Sequence, residues 1–192
     1  MLKRNLKTFC KSEDGNAAIE YLFMAPVVLM LFAGTLTFFD AYRARFEAEA
    51  ATNTIGDMVS RETQALSDDY IDGMLGVFES LAHRSSNEAL RVSVVQYDAD
   101  QDTHQVVWSQ ARNESAGQLT TADTQTMGAS FPLMGHLDRV VYIETKTGYG
   151  VPFGLVRETL LDDFEIRNDI VVAPRFASTV CYSANAGVTP TC

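Results

Sequence analysis

Gly15-Asn16-Ala17-Ala18-Ile19-Glu20-Tyr21, followed directly by the apolar run Leu22–Phe39, is the stretch of sequence that decides the fold. From Tyr21 to Phe39 there are 19 residues and no charged side chain. As a helix, residues 16–39 would be about 36 Å long at ~1.5 Å per residue, and the hydrocarbon core of a bilayer is about 30 Å thick. The stretch therefore predicts a transmembrane helix over residues 16–39, with Glu20 near one end and Pro26 inside it.

Glu20 is the one residue of this helix whose chemistry does not suit lipid. An acidic side chain at the centre of a membrane costs about 2.5 to 3.5 kcal/mol on insertion scales, and near the interface it still needs a partner. The predicted span contains no basic residue. A cut between Gly15 and Asn16 would create a new α-amine on Asn16, either on this chain or on a neighbouring copy, and that amine could pair with Glu20.

The same residues resemble a known signature. Gly15, the pair Glu20-Tyr21 and Pro26 in a Leu/Val/Met/Phe run resemble the prepilin-peptidase signature of type IV pilin-like proteins. The sequence of residues 18–29 is most similar to that of the TadE-type minor pilins, or pseudopilins, of tight-adherence (Flp) pilus systems. The resemblance covers roughly residues 13–45. Asn16 differs from the Ser, Ala or Thr that usually follows the cut.

The resemblance implies a function in pilus assembly. Residues 1–15 would be a leader that a prepilin peptidase removes between Gly15 and Asn16. Glu20 would then pair with a free amine while the helix, including Tyr21 and Pro26, packs beside the helices of other subunits. The implied partners are the prepilin peptidase, other pilin or pseudopilin subunits and the pilus assembly platform, with residues 16–39 in the bacterial inner membrane.

Two other interpretations of the N-terminus remain open. Residues 1–15 could be the cytoplasmic tail of an uncleaved signal anchor, in which case the exported part would be a ligand-binding or sensor domain. A conventional signal peptide, cut near Ala48-Glu49-Ala50, is the second alternative. Larger TadG-like relatives carry a D-x-S-x-S metal motif, and this sequence has none, so the resemblance favours a TadE-like protein.

Charge predicts the orientation and excludes one class of partner. Four basic residues lie in the first fifteen positions, whereas Arg43 and Arg45 are the only two in the fifteen that follow the span. The positive-inside rule therefore places the N-terminus in the cytoplasm and residues 40–192 in the periplasm. The net charge of −10 argues against binding to nucleic acid.

The three cysteines fit this orientation. Cys10 belongs to the leader, while Cys181 and Cys192 lie in the exported part, where a disulfide between them is expected. Such a disulfide would stabilise the fold by about 2 to 3 kcal/mol in the chain-entropy model. We expect the tail after Cys181 to be held mainly by this bond. Two thiols without a nearby histidine make a poor zinc site, so we predict neither a metal nor a cofactor.

The remaining sequence predicts an α+β domain with the layout of a pilin. Residues 40–66 would extend the first helix as an amphipathic helix, with Tyr42 and Phe46 among its apolar positions. Within the periplasmic domain, residues 67–192, Ser67 would cap a second helix whose apolar stripe is Tyr70, Met74, Phe78 and Leu81. Antiparallel strands follow, beginning with a hairpin around residues 90–108, and a polar loop is predicted over residues 112–128. The further expected elements are a strand at 139–145, a short helix at 153–161 and one or two strands over 164–180.

No catalytic residues are predicted. The three histidines are scattered, and the sequence lacks the motifs of serine hydrolases, zinc peptidases, P-loop proteins and thiol oxidoreductases. Asp98-Ala99-Asp100-Gln101-Asp102 resembles the start of a calcium loop. The pattern then fails, because Thr103 stands where glycine is required and Ser109 stands where the bidentate glutamate belongs. A solvated acidic turn is the better interpretation.

Overall fold

The computed structural model describes residues 14–82, 85–113, 117–127, 130–184 and 188–192. Most of the predicted leader, with Cys10, and His83 lie outside the described residues. The chain divides into two compact units. We call residues 1–40 with 151–162 the anchor unit, and residues 41–150 with 163–192 the head unit.

The protein is α+β, as the sequence predicts. The helices are α1 (Asp14–Arg61), α2 (Asp68–Leu81), α3 (Thr121–Thr126) and α4 (Gly154–Thr159). The strands are β1 (Ser85–Asp98), β2 (Thr103–Arg112), β3 (Arg139–Tyr149) and β4 (Phe164–Val172). They form one four-stranded antiparallel sheet in the order β2-β1-β3-β4.

Helix α1 is a single element of 48 residues with Pro26 inside it. It ends at Arg61 and not at Leu66, where the sequence places the end of the extension. Leu66 is pulled into an extended conformation because its N–H donates to the Cys181 carbonyl at 2.8 Å and its carbonyl accepts from Ser183 N at 2.9 Å. Burial of the Leu66 side chain, 1% exposed, holds it there.

The main core of the head unit lies on one face of the sheet. Residues 41–61 of α1 and the second helix α2 cover that face. The buried side chains on α1 are Ala48, Ala51, Ile55 and Val59, and those on α2 are Ile71, Met74 and Phe78. They pack with alternate residues of the central strands, Leu90, Val92 and Val94 on β1 and Val141 and Ile143 on β3. The period of two predicted for β1 is therefore correct.

Two apolar stripes are displaced from their predicted faces. On α1, Tyr42 and Phe46 are both more than half exposed, and their rings contact each other edge to face at 4.9 Å. On α2, Ile71 is fully buried in place of Leu81, which is 42% exposed. Helical spacing alone fits several overlapping stripes, and the contact with the sheet decides which of them is buried.

The second face of the sheet is covered by the segment that the sequence presents as a polar loop. Here Val95 on β1 and Tyr142 on β3 pack with Leu119 and Phe131. Residues 121–126 form α3, whose first turn carries a capping box between Thr120 and Asp123. That box is a sequence signal for a helix start, and its pattern in residues 120–123 could have identified α3.

The C-terminal tail is held by more than the disulfide. Cys181 and Cys192 are bonded, with their sulfur atoms 2.00 Å apart, as predicted. In addition, Tyr182 and Thr191 exchange two backbone hydrogen bonds of 2.9 and 2.8 Å. The indole Nε1 of Trp108 donates to the Val180 carbonyl at 2.9 Å. The tail is therefore held by hydrogen bonds as well as by the expected disulfide.

Candidate functional site

The candidate site is the N-terminal part of α1, which belongs to the anchor unit. Within the described residues, this is the one helix long and apolar enough to cross a membrane. Its most apolar window of 18 residues has a mean hydropathy of 2.2, and only 6% of that window is buried. A helix in the core of a soluble domain has the same hydropathy but is mostly buried. The exposed apolar surface is therefore compatible with a single-pass anchor.

The predicted site residues lie on consecutive turns of this helix. Gly15 and Asn16 are within its first turn, since α1 begins at Asp14, and only their backbone is described. Glu20 is exposed, and its carboxylate has no hydrogen bond or ion pair among the described residues. Tyr21 is 75% exposed. The structure thus leaves the Glu20 carboxylate open to a group that lies outside the described chain.

Pro26 lies in the second turn of the apolar run Leu22–Phe39. A proline has no backbone N–H, so the carbonyl four residues earlier, that of Leu22, loses its helical hydrogen bond. Further along, the hydroxyls of Thr35 and Thr37 donate to the carbonyls of Leu31 and Ala33 at 2.8 and 2.9 Å. Both polar side chains are therefore satisfied within their own helix, as an apolar surrounding requires.

The acidic turn that begins at Asp98 joins β1 to β2. The structure brings His136, which the sequence did not predict there, beside it. Ligand atoms of Asp98, Asp100 and His136 lie within 4.8 Å of one another, a set that could hold a cation. The carboxylate of Asp98 already accepts hydrogen bonds from Asp100 N at 3.0 Å and Gln105 Nε2 at 3.3 Å. The imidazole Nδ1 of His136 accepts from Ala99 N at 3.2 Å. These bonds explain the cluster as one that holds the hairpin turn.

The end of the same turn carries a local hydrogen bond. Asp102 has a positive φ of 50°, which aspartate tolerates better than most residues. The Tyr97 hydroxyl donates to Asp102 Oδ1 at 2.7 Å. That bond raises the pKa of Tyr97, with desolvation as the second cause. The turn is thus a structural feature of the hairpin.

The histidines inside the described part of the chain have packing roles. The ring of His104 stacks on Phe131 at 4.8 Å and lies 5.1 Å from Tyr97. His136 holds the acidic turn, as described above.

One polar cluster of the head unit was missed by the sequence analysis. Arg112 at the end of β2 forms ion pairs with Asp68 and Asp72 on α2. Asp68 also accepts a hydrogen bond of 2.8 Å from the Tyr182 hydroxyl. The Tyr182 hydrogen bond, followed by that of Arg112, lowers the pKa of Asp68 below its usual value. Partners 44 and 114 positions apart leave no periodic signal in a sequence, and this cluster ties α2, β2 and the tail together.

The head unit also has an open groove of about 650 Å³ beside β4. One wall is formed by α1 and the other by residues 170–175. At its polar end, Asp57 pairs with Arg175 at 3.3 Å and with Arg61 at 2.9 Å. The charges in the groove are thus already paired.

Comparison of the chain with protein-family models, with curated protein sequences and with solved structures found no match. What the protein does is therefore inferred from its own residues and geometry.

Proposed function

We propose that the protein is a TadE-like minor pilin or pseudopilin that takes part in assembling a tight-adherence pilus. Residues 16–39 of α1 lie in the bacterial inner membrane, with the N-terminus in the cytoplasm and the head unit in the periplasm. A prepilin peptidase cuts between Gly15 and Asn16. The helix then packs beside the helices of other subunits, and Glu20 pairs with the amine that the cut creates.

The observation that carries the proposal is the character of α1. It is one continuous helix whose apolar residues 19–39 are largely exposed, and its later residues form part of the head core. An exposed apolar helix surface needs lipid or other helices around it. The Glu20 carboxylate, which has no partner among the described residues, lies at the head of that surface and needs a cation. An assembly of cleaved helices in a membrane supplies both.

The same helix argues against a conventional signal peptide cut near Ala48-Glu49-Ala50. Ala48 and Ala51 are 0% and 1% exposed in the head core, so a cut there would sever a buried part of α1. The Thr52 hydroxyl, one turn after Ala48, is within 2.6 Å of the Thr145 hydroxyl on β3. A peptidase would have to unfold this packing.

Mass spectrometry of the protein purified from membranes of its own host tests the cleavage. We expect a mature chain that begins at Asn16. A chain that retains Met1 in a cell with an active prepilin peptidase would remove the cleavage from the proposal.

The role of Glu20 is tested separately. We expect Glu20→Ala to be cut normally but to assemble poorly, measured as the yield of sheared pili, because the partner of the new amine is lost. Glu49→Ala is the matched control, since Glu49 is exposed on the same helix in the head unit. Normal piliation of the Glu20→Ala strain would refute the pairing.

The alternative is an uncleaved anchored domain that binds or senses a ligand, and the groove beside β4 is where a ligand would bind. In that case the leader stays in place. Function would also survive exchange of residues 16–39 for an unrelated membrane span, an exchange that a pilin could not tolerate.

A further inference from the structure

A second segment of the chain accompanies the anchor helix. Residues 151–162 belong to the same compact unit as α1 up to Asp40. Between them runs an open apolar groove of about 620 Å³. Its walls are Pro26, Leu29, Met30, Phe32, Ala33 and Leu36 on one side and Pro152, Phe153, Gly154 and Leu155 on the other. At the far end of the segment, Leu160 Cδ1 lies 3.5 Å from the position of a Cβ on Gly34.

The position of these contacts along α1 decides what surrounds the segment. From Pro26 to Leu36 the helix rises about 15 Å, which is half the thickness of the hydrocarbon core. All of the contacted residues fall inside the uncharged run Tyr21–Phe39. A bilayer placed around that run therefore also encloses residues 152–160.

The chemistry of the segment suits lipid. Leu155 and Leu160 are 60% and 61% exposed, and Phe153 is 40% exposed. Part of the backbone is satisfied within the segment, since the N–H groups of Val156 and Arg157 donate to the Phe153 carbonyl at 3.0 Å, and Leu160 N donates to the Val156 carbonyl at 2.8 Å. Each such bond removes a polar backbone group that would otherwise be costly to place in hydrocarbon.

The charged residues of the segment fit the edge of a membrane. Arg157 and Glu158 are the charged residues between Val151 and Leu161, and Asp162 and Asp163 follow. Both Arg157 and Glu158 are exposed, and long charged side chains can extend to the headgroups while their carbon stems stay in the apolar layer. The segment therefore enters from one side without crossing.

We infer that residues 152–161 are a second membrane-inserted element, which enters from the periplasmic side, lies against α1 across the middle of the bilayer and presents Phe153, Leu155 and Leu160 to lipid. This inference rests on the proposed membrane span of α1. It adds a lipid-binding segment from the middle of the chain, which follows β3 and precedes β4.

Depth-dependent quenching in vesicles tests the inference on the full chain. In a Cys10→Ser background, single cysteines replace Leu155 or Leu160, whose side chains are 60% and 61% exposed. Each is labelled with an environment-sensitive fluorophore under non-reducing conditions, which leave the Cys181–Cys192 bond intact. The proteins are reconstituted in phosphatidylcholine–phosphatidylglycerol vesicles with or without spin-labelled lipid.

Two further positions serve as matched controls. Phe32→Cys reports on α1 itself, and Leu133→Cys reports on a fully exposed side chain of the head unit. We expect blue-shifted emission and loss of intensity with spin-labelled lipid at 155 and 160 as large as at 32, and neither effect at 133.

The failures are distinguishable. Quenching at 32 with none at 155 and 160 overturns the inference and leaves the anchor in place. Absence of quenching at all three positions overturns the membrane span itself. A third outcome is blue-shifted emission at position 155 that spin-labelled lipid does not quench and that depends on the protein-to-lipid ratio. A second copy of the chain would then cover the segment, which also overturns the inference.

Discussion

At the scale of single residues, the clearest electrostatic effect is at Asp68. Its pKa is lowered, mainly by the Tyr182 hydrogen bond and then by Arg112. A carboxyl whose folded pKa is below its unfolded value stabilises the native state above that unfolded value, here 3.8. The stabilisation is lost as the pH falls through the folded pKa.

Tyr182→Phe should therefore destabilise the head unit in a pH-dependent way. The variant keeps the ring, which lies 5.6 Å from that of Trp108, and loses the hydroxyl that donates to Asp68. We expect the difference in Tm between wild type and variant to be largest near neutral pH and to shrink as the pH falls below 3.8. Thermal unfolding of the detergent-solubilised chain, followed by circular dichroism, measures it.

The matched control for this prediction is the same substitution in an Asp68→Asn background. Asparagine does not titrate, so the effect of Tyr182→Phe should then be independent of pH over the same range. If the Tm difference caused by Tyr182→Phe shrinks equally at low pH in both backgrounds, Asp68 is not the group responsible for its pH dependence.

At the scale of elements, the sequence predicted what its periodicity encodes. The long first helix and the first hairpin each repeat at a spacing that one element dictates, whereas the stripe predicted on α2 is fully buried only at Met74 and Phe78. Helix α3 was missed because its residues are polar and its packing comes from neighbours, Leu119 and Phe131, rather than from its own stripe. Of the one or two strands predicted over residues 164–180, the structure has β4, which ends at Val172. The chain then leaves the sheet, and Arg175 N donates a hydrogen bond to the Ser60 carbonyl at 2.8 Å.

The glycines of α2 offer a test of helix propensity without packing. A Cβ added at Gly76 would meet no atom within 4 Å. Gly76→Ala should therefore stabilise the head unit by about 0.5 to 1 kcal/mol, because alanine loses less backbone entropy than glycine in a helix. Guanidinium unfolding followed by the fluorescence of Trp108, the only tryptophan of the chain and a buried one, measures the change.

Gly56→Ala on α1 is the opposite case and the control. A Cβ there would overlap Ile170 Cδ1 and lie 3.3 Å from Val172 Cγ1, so the Ile170 side chain would have to leave its rotamer and Val172 would have to shift slightly. We expect a net loss of about 1 to 3 kcal/mol from overpacking. Equal effects of the two alanine substitutions would mean that the close approach of α1 to β4 is absent.

At the scale of the whole molecule, the C-terminal tail forms hydrogen bonds with distant parts of the head unit. Leu66, at the end of the connection after α1, bonds Cys181 and Ser183, and Trp108 on β2 bonds Val180. Hydrogen bonds between residues 72 to 117 positions apart thus hold the tail in addition to the disulfide. No local pattern encodes such long-range bonds, which is why the sequence pointed only to the cysteines.

These hydrogen bonds predict how the protein behaves when the disulfide is removed. With Cys181→Ser and Cys192→Ser together, we expect a loss of about 2 to 3 kcal/mol, since the bond closes a short loop. The tail should nevertheless stay docked, because its hydrogen bonds to Leu66 and Trp108 do not depend on the loop. Hydrogen exchange of the Leu66 amide, which donates to the Cys181 carbonyl, reports this directly. In the double variant we expect this amide to exchange much more slowly than it would in the unfolded chain. Exchange at the unfolded rate in an otherwise folded head unit would mean that the disulfide alone holds the tail.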